Sequence, residues 1–450
     1  MIAEKKLETL ERSSAKLTVT VGKDQAQKEY DDLIKEYSKT AQIKGFRKGK
    51  VPAAILEQKF GTSIRSEASM KIIEGGLKEA FEGIDKAPLH YAPPALSEEV
   101  QLELGKDFTF SVTYDYFPDI DLGDYKEIEI EEPSATISAD DINRELESVQ
   151  EQNSIVVDKE GGSVDREDII TIDYVELNES DGEIEGTSRD EFVFTVGSGY
   201  NQYKIDDDLV GMERDQEKVI EKAYPEDFED TELAGKQKRL KVKIKQIKEK
   251  QLPELDDELA QDVSDDYETL DDLKEDISKR LKETAAQHIR RKGIDSIVDV
   301  IIERSKIDVP ESMVQAEINV TWSNFLARSG LNEDQMAQVL AGQEKTQDAL
   351  YEEWRPSAER SVRSRLLLNK IIEKEQISAD DSELDREIEE SAEKSNISTE
   401  QAKEYYEKNN MLEYMRGQLI DKKLYDMLLD KAVKKKGKKF KFLDLVQDNQ

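Results

Sequence analysis

Between Tyr37 and Leu56 the chain carries five basic residues, Lys39, Lys44, Arg47, Lys48 and Lys50, and no Asp or Glu. With 102 acidic residues among 450, about four or five acids are expected in a stretch of this length, so their absence marks a segment suited to negative charge. Its centre reads Gly45-Phe46-Arg47-Lys48-Gly49-Lys50-Val51-Pro52. The glycines permit a tight, exposed loop, and Phe46 at its tip has no local apolar partner. Cations flanking an exposed aromatic suit an anionic partner that also offers an apolar pocket. A phosphate-cradling nucleotide loop is excluded. The glycine spacing is one residue short, and Val51 stands where a hydroxyl would hold magnesium. Loop chemistry alone leaves a second reading open, a solvated basic loop with Phe46 tucked back into the core.

Other chemistry is narrowly bounded. The chain has no cysteine and only two histidines, His90 and His288, which removes disulfides, thiolate catalysis and Cys/His zinc sites. His90 lies beside Pro88, Tyr91, Pro93 and Pro94, and His288 lies in a charged helical stretch, so both are read as structural or solvated. No metal or cofactor is expected. A net charge of -36 repels nucleic-acid phosphate and anionic lipid, so no DNA and no membrane partner is expected, and any RNA contact must come from the local basic exception. Residues 1–10 lack the apolar core of a secretory signal, and no apolar run approaches the ~20 residues that span a bilayer. The chain is therefore expected in the cytoplasm.

The elements that must position the loop follow from periodicity. Lys16 to Val21 alternates as a strand, and Asp24 to Ala41 is a helix with Tyr30, Leu33, Ile34, Tyr37 and Ala41 on one face. Pro52 stands where a helix can start. A helix from about Ile64 to Phe81 and a strand from Phe108 to Tyr116 complete an α+β domain. Residues 118–150 read as an extended, acidic linker. Asp165 to Lys248 is β-rich, with alternation in Ile169 to Leu177, a hairpin signal at Asp181-Gly182, a strand at Phe192 to Val196, and Leu240, Val242 and Ile244 alternating with lysines. Beyond Pro253 the pattern is helical: Asp271 to Arg304, a break at Val309-Pro310, then Asp348 to Glu375, Ser378 to Ser395, Thr399 to Lys408 and Met411 to Lys435. A second basic cluster, Lys434 to Lys441, reads as a solvated helix end.

The string from Gly45 to Pro52 resembles the ribosome-docking signature of the trigger-factor family, and the order of segments is similar throughout. Gln251-Leu252-Pro253-Glu254-Leu255 and Ile307-Asp308-Val309-Pro310 look like landmarks of the same family. The resemblance implies a multidomain α+β protein. Residues 1–117 would be a ribosome-binding α+β domain, 151–248 an FKBP-like prolyl isomerase domain and 249–450 a long-helix, all-α chaperone domain. It implies that Gly45, Phe46, Arg47, Lys48, Gly49, Lys50 and Pro52 form the docking element, touching a large-subunit protein and rRNA beside the exit tunnel. Nascent and unfolded polypeptides are the implied clients, and a homodimer is the implied state off the ribosome. Roles in export or cell division are carried by the resemblance only.

Prolyl isomerisation needs no nucleophile. The X-Pro barrier is about 18–20 kcal/mol, and an aromatic pocket that desolvates the twisted amide lowers it. By resemblance the pocket positions are Tyr174, Ile184, Phe192, Phe194, Gln202, Ile205, Phe228 and Leu240. Ile184 and Leu240 stand where the family has aromatics. In Asn201-Gln202-Tyr203-Lys204-Ile205 the Pro-Gly turn is gone, Gln202 replaces an aliphatic residue, and Ile205 replaces the aromatic floor. These departures leave two readings, a weak isomerase and an FKBP-shaped scaffold. Client contact requires exposed apolar area kept soluble by charge. Candidates are Met313, Val320, Trp322, Phe325, Met336, Met411 and Met415, although most such positions are core positions of helix pairs. The leading expectation is a ribosome-associated chaperone, and the alternative is primarily a prolyl isomerase with recruiting domains.

Overall fold

The computed structural model describes residues 2–447 apart from 45, 48, 229 and 231. The chain divides into two compact units, Met1–Glu132 with Arg291–Lys436, and Pro133–Arg290 with Gly437–Gln450.

The N-terminal part of the first unit holds β1 (Ile2–Thr9), β2 (Ser14–Val21), α1 (Lys23–Thr40), α2 (Ala53–Phe81), β3 (Ala95–Leu96) and β4 (Phe108–Asp115). The sheet order is β1-β2-β4-β3, all antiparallel, with Val19 opposite Phe110. Alternation sends Ala15, Leu17, Val19 and Val21 inward against Phe108, Phe110, Val112 and Tyr114, and α1 and α2 cover that face. Gly76 permits the close approach of α2, because a Cβ there would meet the Phe110 ring at 3.1 Å. Residues 2–9, read above only as lacking a signal core, form the exposed edge strand β1. The second helix begins at Ala53, well before the expected Ile64, with Pro52 at its N-cap.

Next come β5 (Ile120–Asp121), β6 (Glu129–Thr136) and α3 (Ala139–Gln152). The expected extended linker over 118–150 is therefore extended only to residue 136. Ser138 and Asp141 close a reciprocal capping box that starts α3, and Leu146 is its buried anchor. The β-rich part of the second unit follows with β7 (Ile155–Asp158), β8 (Ile169–Leu177), β9 (Arg189–Thr195), α4 (Asp206–Leu209), β10 (Glu217–Ala223) and β11 (Gln237–Gln251). Its antiparallel order is β10-β11-β8-β9, with β7 also on β11. Asp181-Gly182 does turn, with Asp181 at φ +60° and Asn178 N–H on the Gly182 carbonyl at 2.9 Å, but β9 resumes only at Arg189.

The remainder is mainly helical: α5 (Asp257–Val263), α6 (Leu270–Arg304), β12 (Lys306–Ile307), α7 (Glu311–Ser329), α8 (Glu333–Gly342), α9 (Gln347–Glu375), α10 (Asp381–Lys394), α11 (Thr399–Lys408), α12 (Leu412–Lys431), β13 (Val433–Lys441) and α13 (Phe442–Gln447). Capping boxes at Asn332, Asp380 and Ser398 start α8, α10 and α11, and Gly330 in the left-handed region ends α7. The lysine run at 434–441 is not a helix end. It is strand β13, and Lys434 and Lys435 pair with Glu132 and Glu129 of β6. Early residues of α6, Leu273, Ile277 and Leu281, pack with Leu146 and Leu445 in the second unit. Its later residues Ile297, Val298 and Ile301 pack with Tyr125, Ile130, Leu367, Ile371 and Leu424 in the first.

Within the first unit, polar contacts tie the N-terminal part to the helical part. Ser13 N–H reaches Asp308 Oδ2 at 3.2 Å, Ser13 Oγ donates to the Asp308 carbonyl at 2.7 Å, Ser312 N–H donates to Asp115 Oδ2 at 3.0 Å, and Arg12 pairs with Glu311. Beyond β5, whose Ile120 and Asp121 pair with Ile307 and Lys306 of β12, Gly123 lies against the end of α6. A Cβ on Gly123 would sit 2.3 Å from the Arg304 carbonyl oxygen. Gly123→Ala is expected to cost on the order of 1–3 kcal/mol through backbone overlap, read as a lower denaturant midpoint; an unchanged midpoint would contradict the close approach.

Nearby, Tyr125 Oη donates to Glu375 Oε1 at 2.6 Å, and Lys126 and Lys431 reach the same carboxylate at 3.2 and 3.1 Å. The phenol first, then the lysines, hold the Glu375 carboxyl down from 4.5 to about 2, while burial and this carboxylate push Tyr125 up to about 12. Because the folded pKa of Glu375 lies below the unfolded one, its contribution is complete above pH 4.5 and is lost as pH falls toward 2. Glu375→Gln should flatten that part of the acid unfolding curve. Superimposable curves for the two chains would show that the cluster does not contribute.

Candidate functional site

The basic loop leaves α1 at Thr40 and re-enters the fold at α2. Both ends are pinned by a small apolar cluster in which Ile43, Val51 and Leu56 are buried against Tyr37, Ala41 and Ile55. Ser38 Oγ donates to the Val51 carbonyl at 3.2 Å, adding a polar tie at the same place. Between the pins, Phe46 N–H bonds the Ile43 carbonyl at 3.0 Å and Lys50 N–H bonds the Arg47 carbonyl at 2.9 Å. Gly49 takes φ +79°, a left-handed conformation that glycine adopts without strain. Phe46 is 40% exposed and belongs to none of the core clusters. Lys39, Lys44, Arg47, Lys50 and Pro52 are exposed. Among the described residues, none of these cations has a carboxylate within ion-pair reach, in contrast to Lys35 and Lys71 of α1 and α2 and to Lys403 and Lys423 of the helical part. Gly45 and Lys48 lie outside the described residues. The arrangement offers an aromatic edge and unneutralised positive charge on one short projection. It suits an anionic surface with an apolar recess. Phe60 on α2 is also exposed, its ring 6.4 Å from that of Tyr37, and the sequence reading passed over it.

In the second unit, six of the eight expected pocket residues come together on one core. Tyr174 of β8, Phe192 and Phe194 of β9, Leu240 of β11, Ile205 before α4 and Phe228 after β10 share it. Strand register explains the grouping, because Ile172 pairs with Phe192, Ile170 with Phe194 and Tyr174 with Val242, placing alternate side chains on the same face. Tyr174 and Phe192 meet edge to face at 5.8 Å. Ile184 and Gln202 do not join this core; both are exposed, and Gln202 Nε2 reaches Asp230 Oδ2 at 3.3 Å. The expected floor position, Ile205, is sealed at 1% exposed, and so is the neighbouring pocket position Leu240 at 0%.

The residue missed by sequence reasoning is Tyr203, 7% exposed, whose ring stands edge to face on Tyr174 at 5.5 Å. Its hydroxyl donates to Glu176 Oε1 at 2.8 Å, and Lys238 Nζ holds the other oxygen of that carboxylate at 2.6 Å. Tyr224 Oη donates to the Tyr203 carbonyl at 2.8 Å. Burial, then the Glu176 carboxylate, pushes the Tyr203 phenol far up, and burial carries Tyr224 to about 12. The lost Pro-Gly turn is replaced by side chains. Asn201 Oδ1 accepts the Ile205 N–H at 2.8 Å, and Asp206 accepts from Asn201 and from the Gly197 N–H. The signal was present in the sequence, since a large aromatic stands where the turn proline was expected.

On the helices, Met313, Trp322, Met336 and Met415 are buried, so these four are core residues and not exposed client surface. They lie on the faces that pack against α9, α7 and α10 neighbours, where helical spacing puts adaptable and aromatic side chains together. Val320 and Phe325 are exposed and Met411 is half-buried. Val320 lines a groove of about 670 Å³ in the first unit with Leu89, Tyr91, Phe117, Met313 and Leu366, bordered by Glu317 and Arg365. Tyr91 and Phe117, both largely exposed, were not singled out from sequence. Among the described residues no helix is long and apolar enough to cross a membrane.

Two family profiles match the chain, one described as bacterial trigger factor protein over residues 3–149 and one as bacterial trigger factor protein C-terminus over residues 269–430. The chain is 38% identical over 448 residues to the trigger factor of Treponema denticola, covering 99% of each chain. It is 32% identical over 447 residues to the trigger factor of Borrelia turicatae, again over 99% of each. A solved trigger factor chaperone chain is similar over 95% of this chain and 99% of its own, at 23% identity and a TM-score of 0.47. With its β-rich middle and helical C-terminal region, and with curated relatives matched end to end, the chain belongs to the trigger factor family.

Proposed function

We propose that the chain is a cytoplasmic chaperone that docks on the large ribosomal subunit beside the exit tunnel and shelters emerging polypeptides. The observation that carries this reading is the projecting loop, where Phe46 is exposed and Lys44, Arg47 and Lys50 have no carboxylate partner among the described residues. On a chain of net charge -36, general attraction to RNA is absent, so binding must be concentrated where acids are missing. Phe46 fills an apolar recess on a ribosomal protein, and the cations, with Lys48, meet rRNA phosphate and acidic side chains. Exposed cations pay little desolvation on binding, which makes the contact salt-dependent and reversible.

The apolar groove around Tyr91, Phe117 and Val320 supports client contact. Its rim is exposed, and the Glu317–Arg365 ion pair lines its border. The sealed floor at Ile205 and Leu240 favours binding over isomerisation as the principal activity, with prolyl isomerase activity low in the resting chain. No observation favours an enzyme whose other domains only recruit substrate.

Co-sedimentation with ribosomes tests docking. Replacing Phe46, Arg47 and Lys48 together by alanine should abolish pelleting, and Phe46→Ala alone should weaken binding by on the order of 10–100-fold, as for a buried aromatic anchor. With about three phosphate contacts, raising salt from roughly 50 to 200 mM should weaken the intact chain by some tens-fold. Equal pelleting of intact and triple-substituted chains would remove the docking claim. For client contact, Val320→Asp should reduce suppression of aggregation of an unfolded protein while the unfolding midpoint stays unchanged, because Val320 is 57% exposed. Undiminished suppression would move the client surface elsewhere.

A further inference from the structure

We infer that Tyr203 is a built-in occupant of the aromatic site in the second unit, lying where a prolyl ring would have to sit, and that it sets how much peptide the site admits. The inference rests on the isomerase-like reading of this domain and deepens it.

Geometry makes the case. Tyr174 and Glu176 are alternate residues of β8 and project from one face of the sheet, with Glu176 opposite Leu240 in the register of β11. The Tyr203 ring begins beside Tyr174 at 5.5 Å and its hydroxyl ends on Glu176 at 2.8 Å, so the side chain runs along that face over the strand pair carrying Leu240. A prolyl ring must touch floor side chains to be desolvated, and neither Ile205 nor Leu240 has surface to offer. Phe192 and Phe228 are still partly exposed at the edge of the same core, so the walls are present while the floor is covered.

The occupant is held at both ends. Its phenol is a neutral donor to a carboxylate, a charge-assisted bond stronger than one between neutral groups. Lys238 neutralises that carboxylate, and the Tyr224 hydroxyl fixes the Tyr203 carbonyl. Displacing the ring would leave the poorly exposed Glu176 without one of its partners, which opposes spontaneous opening. The neighbours Gln202 and Lys204 are exposed, so between the Asn201–Asp206 network and buried Ile205 the segment turns inward through the Tyr203 ring.

The test measures cis–trans exchange of a short Xaa-Pro peptide by NMR with the full chain, Tyr203→Ala and Tyr203→Phe. The intact chain should be slow, and Tyr203→Ala should raise kcat/KM by on the order of tenfold or more. Tyr203→Phe keeps the ring but loses the anchor, should give a smaller rise, and decides the matter if the alanine chain does not fold. Peptide line broadening reads binding separately from rate. A gain in binding without a gain in rate supports the occupant and overturns only the isomerase reading. No gain in either from a folded variant, or an intact chain as fast as the opened one, overturns the inference. Ribosome co-sedimentation of the same variants should be unchanged, which separates this outcome from any failure of docking.

Discussion

Positive charge on an acidic protein is normally consumed by its own carboxylates, and much of this chain follows that rule. Lys35 is held by Asp32, Lys71 by Glu36, Arg360 by Asp299 and Lys423 by Glu383. Lys39, Lys44, Arg47 and Lys50 escape it because residues 37–56 contain no acid and because, among the described residues, none elsewhere comes within reach. The second condition is mechanical. Ile43, Val51 and Leu56 bury themselves at the root of the loop, so the residues between them cannot fold back without opening that cluster. Burial of those side chains contributes on the order of a few kcal/mol, enough to keep the base of the projection defined. Burial at the base and exposure at the tip are thus two sides of one arrangement.

The second unit shows a different economy. Its sheet keeps the side-chain alternation that gathers Tyr174, Phe192 and Phe194 on one face, and the segment between β9 and α4 carries Tyr203 where the resemblance leads one to expect a Pro-Gly turn. Asn201 and Asp206 rebuild the turn with side-chain hydrogen bonds, and Tyr203 fills the space. Substitutions that look like decay when read singly are coupled in the structure. The large aromatic requires a carboxylate acceptor, and that carboxylate requires Lys238.

Much of this was legible in the sequence where one periodicity ruled a long stretch. The helix from Asp24 and the long helix ending at Arg304 run as their apolar spacing indicates, and β8 and β11 follow their alternation. Misses cluster where charge hides the pattern. Strand β1 is an edge strand with almost every side chain in solvent, and β13 is a lysine run, so neither carries an apolar signal. Helix α3 is acidic, yet its capping box and the Ile142, Leu146, Val149 stripe are both helix signals that the extended reading passed over. For the candidate site, the charge and turn chemistry of the loop could be read directly, but whether Phe46 projects depends on the buried cluster behind it. The spacing of Met313, Trp322, Met336 and Met415 is that of helix-pair cores, but it cannot say which positions stay exposed, because a helix face shows its spacing and not its neighbour. Tyr203 was visible as a residue and invisible as an occupant, since its role needs the register of two strands.

The account turns on the tip of the loop being the point of contact. Its most direct test places a photo-crosslinking amino acid at position 46 and irradiates the chain with ribosomes. The expected result is an adduct with a large-subunit protein or rRNA beside the tunnel exit, diminishing as salt is raised. Efficient co-sedimentation with no adduct from position 46, and adducts instead from the helical part, would contradict it.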